Sequence, residues 1–203
     1  MGVKERKERD KLEMREKILQ SAHRLFTDRG FSEVSIRNIA DSIEYSPATI
    51  YLYFKDKNEI FYELHNQAFR KFNEEMAFLQ TVADPFDRLI KMGEKYIEFM
   101  YANPNYYNIM FLTEAPMQCE INNEDWEEGF KALSFLEGIL VQCQQQGRFQ
   151  GQDPQILAFT IWSYMHGMCS IILRDRMKMY PEEDQDKIRN KSFELFARML
   201  EEL

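Results

Sequence analysis

Apolar residues recur at helical spacing along almost the whole chain. Ile18, Ala22, Leu25 and Phe26 fall at i, i+4, i+7 and i+8, which predicts one buried stripe on a helix over 9–29. Gly30 follows as a stop signal, a residue suited to a left-handed position just past a helix end. Ser35 is an N-cap candidate for a second helix that buries Ile36, Ile39, Ala40 and Ile43. Ser46-Pro47 opens a third helix holding Ala48, Thr49, Ile50 and Tyr51. The serine accepts an orphan N–H, and proline at the first helical position lacks an N–H that would go unpaired. Asp56, with Glu59 three residues on, starts a fourth with an aspartate version of the capping box. Further helices are expected over 85–102, 104–111, 124–146, 153–177 and 182–202, with a loop over 115–123 and a turn over 146–152. Prolines fall at the seams, and there is no internal repeat or low-complexity tract. The prediction is an all-α fold of about nine helices.

Composition agrees. The chain has 203 residues but only 8 glycines, fewer than the usual ~7%. Four valines and five threonines leave little material for sheets, which favour β-branched residues. With 44% apolar and 30% charged residues the chain reads as a soluble globular protein. No run of 18 or more uncharged apolar residues occurs, so no membrane span is expected. The first residues, MGVKERKERDKLEMREK, lack the apolar core of a secretory signal. Cys119, Cys143 and Cys169 are odd in number, far apart and form no CxxC pair, so neither a disulfide framework nor a zinc site is expected. A reducing cytoplasm is the simplest location.

Charge changes the picture. The net charge of −8 argues against nucleic acid, yet residues 1–57 carry 12 Lys/Arg and 10 Asp/Glu, while residues 58–203 carry 14 and 24. A mildly basic head sits on an acidic body, and a polyanion would meet the head. Taken alone, so small an excess is compatible with chance.

Helices two and three are short and separated by Ile43-Glu44-Tyr45, which after a packed first helix predicts a helix-turn-helix. Such a unit lays its second helix in the DNA major groove, where each base pair shows a distinct pattern. The stretch over 31–60, FSEVSIRNIADSIEYSPATIYLYFKDKNEI, closely resembles the DNA-binding segment of the TetR family of bacterial transcription regulators. The resemblance rests on Gly30-Phe31, Ser35-Ile36-Arg37, Ile39-Ala40, Ser46, Thr49-Ile50-Tyr51, Tyr53-Phe54 and Lys57-Asn58-Glu59-Ile60. It implies a DNA-binding domain over 1–57 and a helical ligand-binding and dimerisation domain over 58–203. Function would be that of a ligand-responsive regulator, a repressor that dimerises on a palindromic operator. Glu44 stands where the family has glycine, and must either accept an unusual backbone angle or alter the turn.

Chemistry suggests roles within this head. Ser35, Tyr51, Tyr53 and Lys57 are candidate phosphate donors. Arg37, Tyr45, Ser46 and Thr49 are candidates for base edges. Pro47 belongs to the same DNA-facing set, but stands where the family often has a polar side chain, so one base contact is lost. The plainer alternatives are that Ile50 and Phe54 are core, that Tyr51 is half core, and that Arg37 and the alternating charges over 4–17 are solvated helix faces.

In the body, the last two helices are rich in apolar residues and offer a four-helix interface across a two-fold axis, as the family resemblance implies. Phe159, Met165, Ile172, Phe193, Phe196 and Met199 are the candidate contacts; the alternative buries them within one subunit. Trp162 followed by His166-Gly167 resembles a helix 8 signature of one TetR C-terminal subgroup. The family usually holds a small molecule in this domain. Tyr96, Met100, Tyr107, Phe111, Trp126, Phe130, Trp162 and His166 are candidates to line such a pocket, since methionines adapt to irregular ligands and aromatic hydroxyls supply polar anchors. Most residues of this kind simply build a core. The effector is expected to be apolar or aromatic, with no cofactor and no metal.

Two other classes compete. A small thiol-dependent enzyme would use Cys169 with His166 at i, i+3, but no nucleophile elbow, phosphate loop or HExxH appears. A helical interaction module without DNA binding is kept open by Glu44 and Pro47.

Overall fold

The fold was analysed in a computed structural model that describes residues 2–113 and 126–203. Among the described residues there are nine α-helices and no strand: α1 (Val3–Arg29), α2 (Ile36–Ser42), α3 (Pro47–Tyr51), α4 (Lys57–Met76), α5 (Pro85–Ala102), α6 (Pro104–Tyr107), α7 (Glu127–Gln145), α8 (Pro154–Leu173) and α9 (Glu182–Glu201). The all-α expectation holds. The loop expected over 115–123, with Cys119, and the start of the helix expected over 124–146 lie outside the described residues.

Several boundaries differ from expectation for local reasons. α1 begins six residues earlier than expected, because its exposed first turns alternate acids and bases, as in the Arg9–Glu13 pair at 3.5 Å. The helix expected over 104–111 is α6 followed by a π-helical turn at Asn108–Leu112, closed where the Thr113 N–H donates to the Asn108 carbonyl at 2.8 Å. The helix expected over 153–177 stops at Leu173, since Asp175 adopts φ 56° and starts a 3-10 turn at Arg176–Met179.

The chain forms two compact units. The first comprises Met1–Lys71 and Asn105–Glu128, the second Phe72–Pro104 and Gly129–Leu203. This differs from the expected cut after residue 57, because Ile60, Phe61 and Leu64 of α4 belong to the same buried cluster as α1–α3. No helix end separates them from the rest of α4.

In the first unit, Ile18, Ala22 and Phe26 of α1 meet Ile39 and Ala40 of α2, Ile50 of α3 and Phe54. Phe26, Phe31 and Phe61 form an aromatic knot with ring centroids 5.1–6.2 Å apart. Each fully buried side chain of this size contributes roughly 1.5–3 kcal/mol by leaving water. Arg15 ties three elements together. Its guanidinium donates to the Tyr53 carbonyl at 3.2 Å and to Glu63 at 2.9 Å, and lies over the Phe54 ring at 4.3 Å.

In the second unit, α5 and α9 approach closely at Gly93, where a Cβ would sit 2.9 Å from the Phe193 ring. Tyr164 of α8 stacks on Phe196 of α9 at 3.8 Å and donates its hydroxyl to the Ser192 carbonyl at 2.9 Å. α8 carries no Asp, Glu, Lys or Arg over 20 residues. By length and composition alone it is long and apolar enough to cross a membrane, and 28% of its most apolar window is buried within the chain. The expectation of no such segment rested on the polar residues that interrupt it, among them Thr160, Ser163 and His166.

The turn between α2 and α3 resolves the question posed by Glu44, which adopts φ 63°. The Tyr45 N–H donates to the Ala40 carbonyl at 3.0 Å and the Glu44 N–H to the Asp41 carbonyl at 3.2 Å, the two bonds of a Schellman ending. A left-handed glutamate carries a steric cost that glycine lacks. Glu44→Gly is therefore expected to stabilise the protein by about 0.5–1 kcal/mol, after allowing for the looser unfolded chain. Urea denaturation checks this, and an unchanged or lowered midpoint would contradict the strain.

Candidate nucleic-acid interface and effector site

The caps at the head follow the sequence. Ser35 Oγ accepts the Asn38 N–H at 3.2 Å while Asn38 Oδ1 accepts the Ser35 N–H at 2.9 Å. Ser46 Oγ accepts the Thr49 N–H at 3.2 Å, with Pro47 at the first helical position. Asp56 Oδ1 accepts the Glu59 N–H at 2.9 Å, but the Glu59 carboxylate takes the Lys55 N–H at 2.5 Å rather than that of the cap residue.

These caps fix which face of α3 points outward. Ile50 and Phe54 are buried, as expected of core. Arg37, Tyr45, Ser46 and Tyr51 are exposed, and Pro47 and Thr49 are half-buried. Tyr51 is 57% exposed, more open than its half-core alternative implies. Leu52 is 77% exposed at the end of α3, an apolar residue that sequence reasoning passed over because its type suggests core. Lys17 lies over the Tyr45 ring at 4.9 Å and brings a cation to this face.

Two of the expected phosphate donors have other partners, and a third is half-buried. Lys57 Nζ donates to the Phe31 carbonyl at 2.7 Å and lies over the Phe31 ring at 4.2 Å. Desolvation lowers its pKa, partly offset by Glu33. Its ammonium thus ties α4 to the segment before α2. The Ser35 hydroxyl donates to Asn38 Oδ1 at 2.7 Å and serves the cap. Tyr53 is half-buried against the core. Of the four expected donors, Tyr51 stands exposed on α3.

The eight effector-site candidates divide between the units. Tyr107, Phe111 and Trp126 lie in the first; Tyr96, Met100, Phe130, Trp162 and His166 lie in the second. Tyr96, Met100 and Tyr107 are buried, whereas Phe130 and Trp162 are exposed. A cleft of about 670 Å³ in the second unit is lined by Tyr101, Ile172, Met177, Tyr180 and Arg189 among others, and by none of the eight.

Dimer candidates also divide. Met165 and Phe196 are buried within the second unit. Phe193 is half-buried against Gly93, and Ile172 is half-buried. Phe159 and Met199 are 64% and 55% exposed, and Ile156, Ile171 and Leu195 are exposed on the same two helices.

Thiol chemistry finds little support. Cys143 and Cys169 are buried, and burial pushes the Cys143 thiol up to about 11, so it stays protonated. Among the described residues no group of three or more His, Cys, Asp or Glu is placed to hold a metal ion.

The short α2–α3 pair on α1, with a larger helical unit, is the frame of a helix-turn-helix regulator. The sequence pattern described as "Bacterial regulatory proteins, tetR family" matches residues 18–64, and that of the "Tetracyclin repressor-like, C-terminal domain" matches residues 89–203. The chain belongs to the TetR family of bacterial transcription regulators. A probable acrEF/envCD operon repressor of Escherichia coli K12 is 27% identical over 147 residues, 67% of this chain and 64% of that protein. The match therefore spans somewhat less than two thirds of that relative. A crystal structure of the transcriptional regulator FadR from Bacillus subtilis, in complex with stearoyl-CoA, shares the fold with a TM-score of 0.73 at 22% identity, covering 89% of this chain and 96% of that one. AibR, in complex with isovaleryl coenzyme A and operator DNA, gives 0.66 at 23% identity over the same shares.

One titratable group stands apart. His65 of α4 is 1% exposed among the rings of Trp126 at 4.3 Å, Phe69 at 4.8 Å and Phe61 at 6.2 Å. Burial pushes its pKa down to about 4, and the Met110 backbone opposes this more weakly. The unfolded imidazole binds a proton near pH 6.5, whereas the folded one does so only near 4. Stability is thus complete above pH 6.5 and drains as pH falls towards 4, by about 3 kcal/mol from this group. His23 and His166, also lowered by burial, act in the same direction. Denaturation midpoints across pH 7 to 4 are expected to fall less in His65→Leu than in the wild type; parallel curves would contradict the assignment.

Proposed function

We propose that the protein is a ligand-responsive transcriptional repressor that binds a palindromic operator as a homodimer and leaves it when a small apolar or aromatic effector binds. The observation that carries this reading is the outward face of α3, where Tyr45, Ser46 and Tyr51 stand exposed on a helix whose opposite side is core. A helix so mounted suits the major groove, with Tyr45, Ser46 and Thr49 towards base edges and Tyr51 towards phosphate. Arg37 extends the same face.

Two copies are needed to place recognition helices ~34–36 Å apart, one duplex turn. The exposed Ile156, Phe159, Ile171, Leu195 and Met199 of α8 and α9 favour pairing through these helices, and burial in a dimer rather than in lipid accounts for the apolar character of α8. Coenzyme A thioesters in the two structural neighbours make a fatty acyl thioester one reasonable effector class; the aromatic residues of this chain suit an aromatic effector equally well. Release follows as a population shift, which requires the effector to bind one dimer shape better than the other. No catalytic role and no cofactor are assigned, and the buried Cys169 speaks against a thiol enzyme. A DNA partner places the protein in the bacterial cytoplasm.

A second reading, an interaction module without DNA binding, draws on Glu44, an acid in the turn before α3. Electrophoretic shifts with the DNA upstream of its own gene separate the two. Binding that weakens with salt is expected, and the double substitution Thr49→Ala, Tyr51→Ala should weaken it by at least about tenfold with an unchanged melting temperature. Absence of salt-sensitive binding to any palindrome there, or full binding by the double variant, would overturn the regulator reading.

A further inference from the structure

The first unit holds a set of buried polar atoms that the DNA-facing surface does not use. Among the described residues, both ring nitrogens of His65, Oδ1 of Asn66 and Nε1 of Trp126 are shielded from solvent and lack a well-formed hydrogen bond, the Met110 backbone acting on His65 only weakly. A native interior leaves few such groups, since each costs roughly 1–3 kcal/mol when unmet. Here four occur on two consecutive residues of α4 and on the indole that stands edge-on to His65 at 4.3 Å and to Tyr62 at 6.1 Å.

The surroundings are apolar. Phe61 and Phe69 flank His65, and Phe111 stands edge-on to Phe69 at 5.5 Å. An interior that only needed filling would place a carbon side chain at position 65. Instead it holds an imidazole in its neutral form, which offers one donor and one acceptor. Trp126 adds a donor and Asn66 Oδ1 an acceptor. The four atoms carry no net charge and ask for a group that both donates and accepts. A carboxylate or ammonium would have to shed its hydration with no opposite charge among these atoms to meet it. A carboxamide or a hydroxyl satisfies them at no such cost.

We propose that His65, Asn66 and Trp126 form the polar anchor of a binding site for an apolar ligand that carries a neutral carboxamide or hydroxyl group. The rings of Phe61, Phe69 and Phe111 hold the apolar body, and the anchor fixes its orientation. Its regulatory consequence rests on the effector reading above; the binding itself does not.

Benzamide is the probe, compared by calorimetry and thermal shift with benzoate, which is charged, and toluene, which lacks the amide. Benzamide should bind the wild-type protein and raise its melting temperature, with the other two about tenfold weaker. His65→Leu should weaken benzamide about tenfold while leaving the ligand-free melting temperature equal or higher, because an unmet polar group has been removed. Should that variant fail to fold, Trp126→Phe carries the same comparison. Benzamide binding no better than toluene would overturn the proposal. So would a ligand-free His65→Leu that melts lower while binding benzamide unchanged, which would mean that the atoms hold internal water only. Operator binding by the wild type, measured in the same samples, keeps the two readings apart. Protein that binds benzamide but no operator refutes the regulator and spares the site; protein that binds operator but not benzamide refutes the site alone.

Discussion

A five-residue helix cannot hold itself in water, and α3 has five residues. Its position is set by Ile50 and Phe54, which sink into a core supplied by α1, α2 and α4. Arg15 locks the same junction from the rim, spanning the Tyr53 carbonyl, the Phe54 ring and Glu63. Glu63 in turn accepts from Arg70 at 2.8 Å, so the clamp is anchored along α4. Every role given to Tyr45, Ser46, Thr49 and Tyr51 depends on this mounting, since a rigid scaffold lets a short exposed element read a partner.

The same helix links the two sites. Ile60, Phe61 and Leu64 of α4 pack in the core beneath α3, and His65 and Asn66 follow at once on that helix. A ligand that satisfies those polar atoms acts on the element that seats the recognition helix. Packed cores respond to such changes by switching between discrete arrangements rather than by bending smoothly. The π-helical turn at Asn108–Leu112 lies in the same unit, and its Met110 backbone acts on His65. Turns of this type are frequent where function requires a departure from regular helix.

Much of the fold was legible because its signals are local. Ser35, Ser46 and Asp56 cap as their types suggest, and the stripe of Ile18, Ala22, Leu25 and Phe26 is buried. Other features depend on partners distant in sequence. Nothing near Lys57 reveals that its ammonium goes to the Phe31 carbonyl, 26 residues away. His65 escaped notice because a lone histidine on an apolar stripe resembles an ordinary core residue. Its orphaned nitrogens emerge only once Trp126 and Phe69 are placed around it. Among the dimer candidates, hydrophobicity identified the helices but not the faces, since Met165 turns inward while Ile156 and Leu195 turn out.

The central claim is that the face of α3 held outward by Ile50 and Phe54 is the surface that meets DNA. Hydrogen–deuterium exchange with and without a palindromic duplex from the upstream region tests it directly. Protection by the duplex is expected to concentrate over residues 35–53, where α2, the Glu44 turn and α3 lie. Protection confined to α8 and α9, or no protection while the duplex is bound, would contradict it.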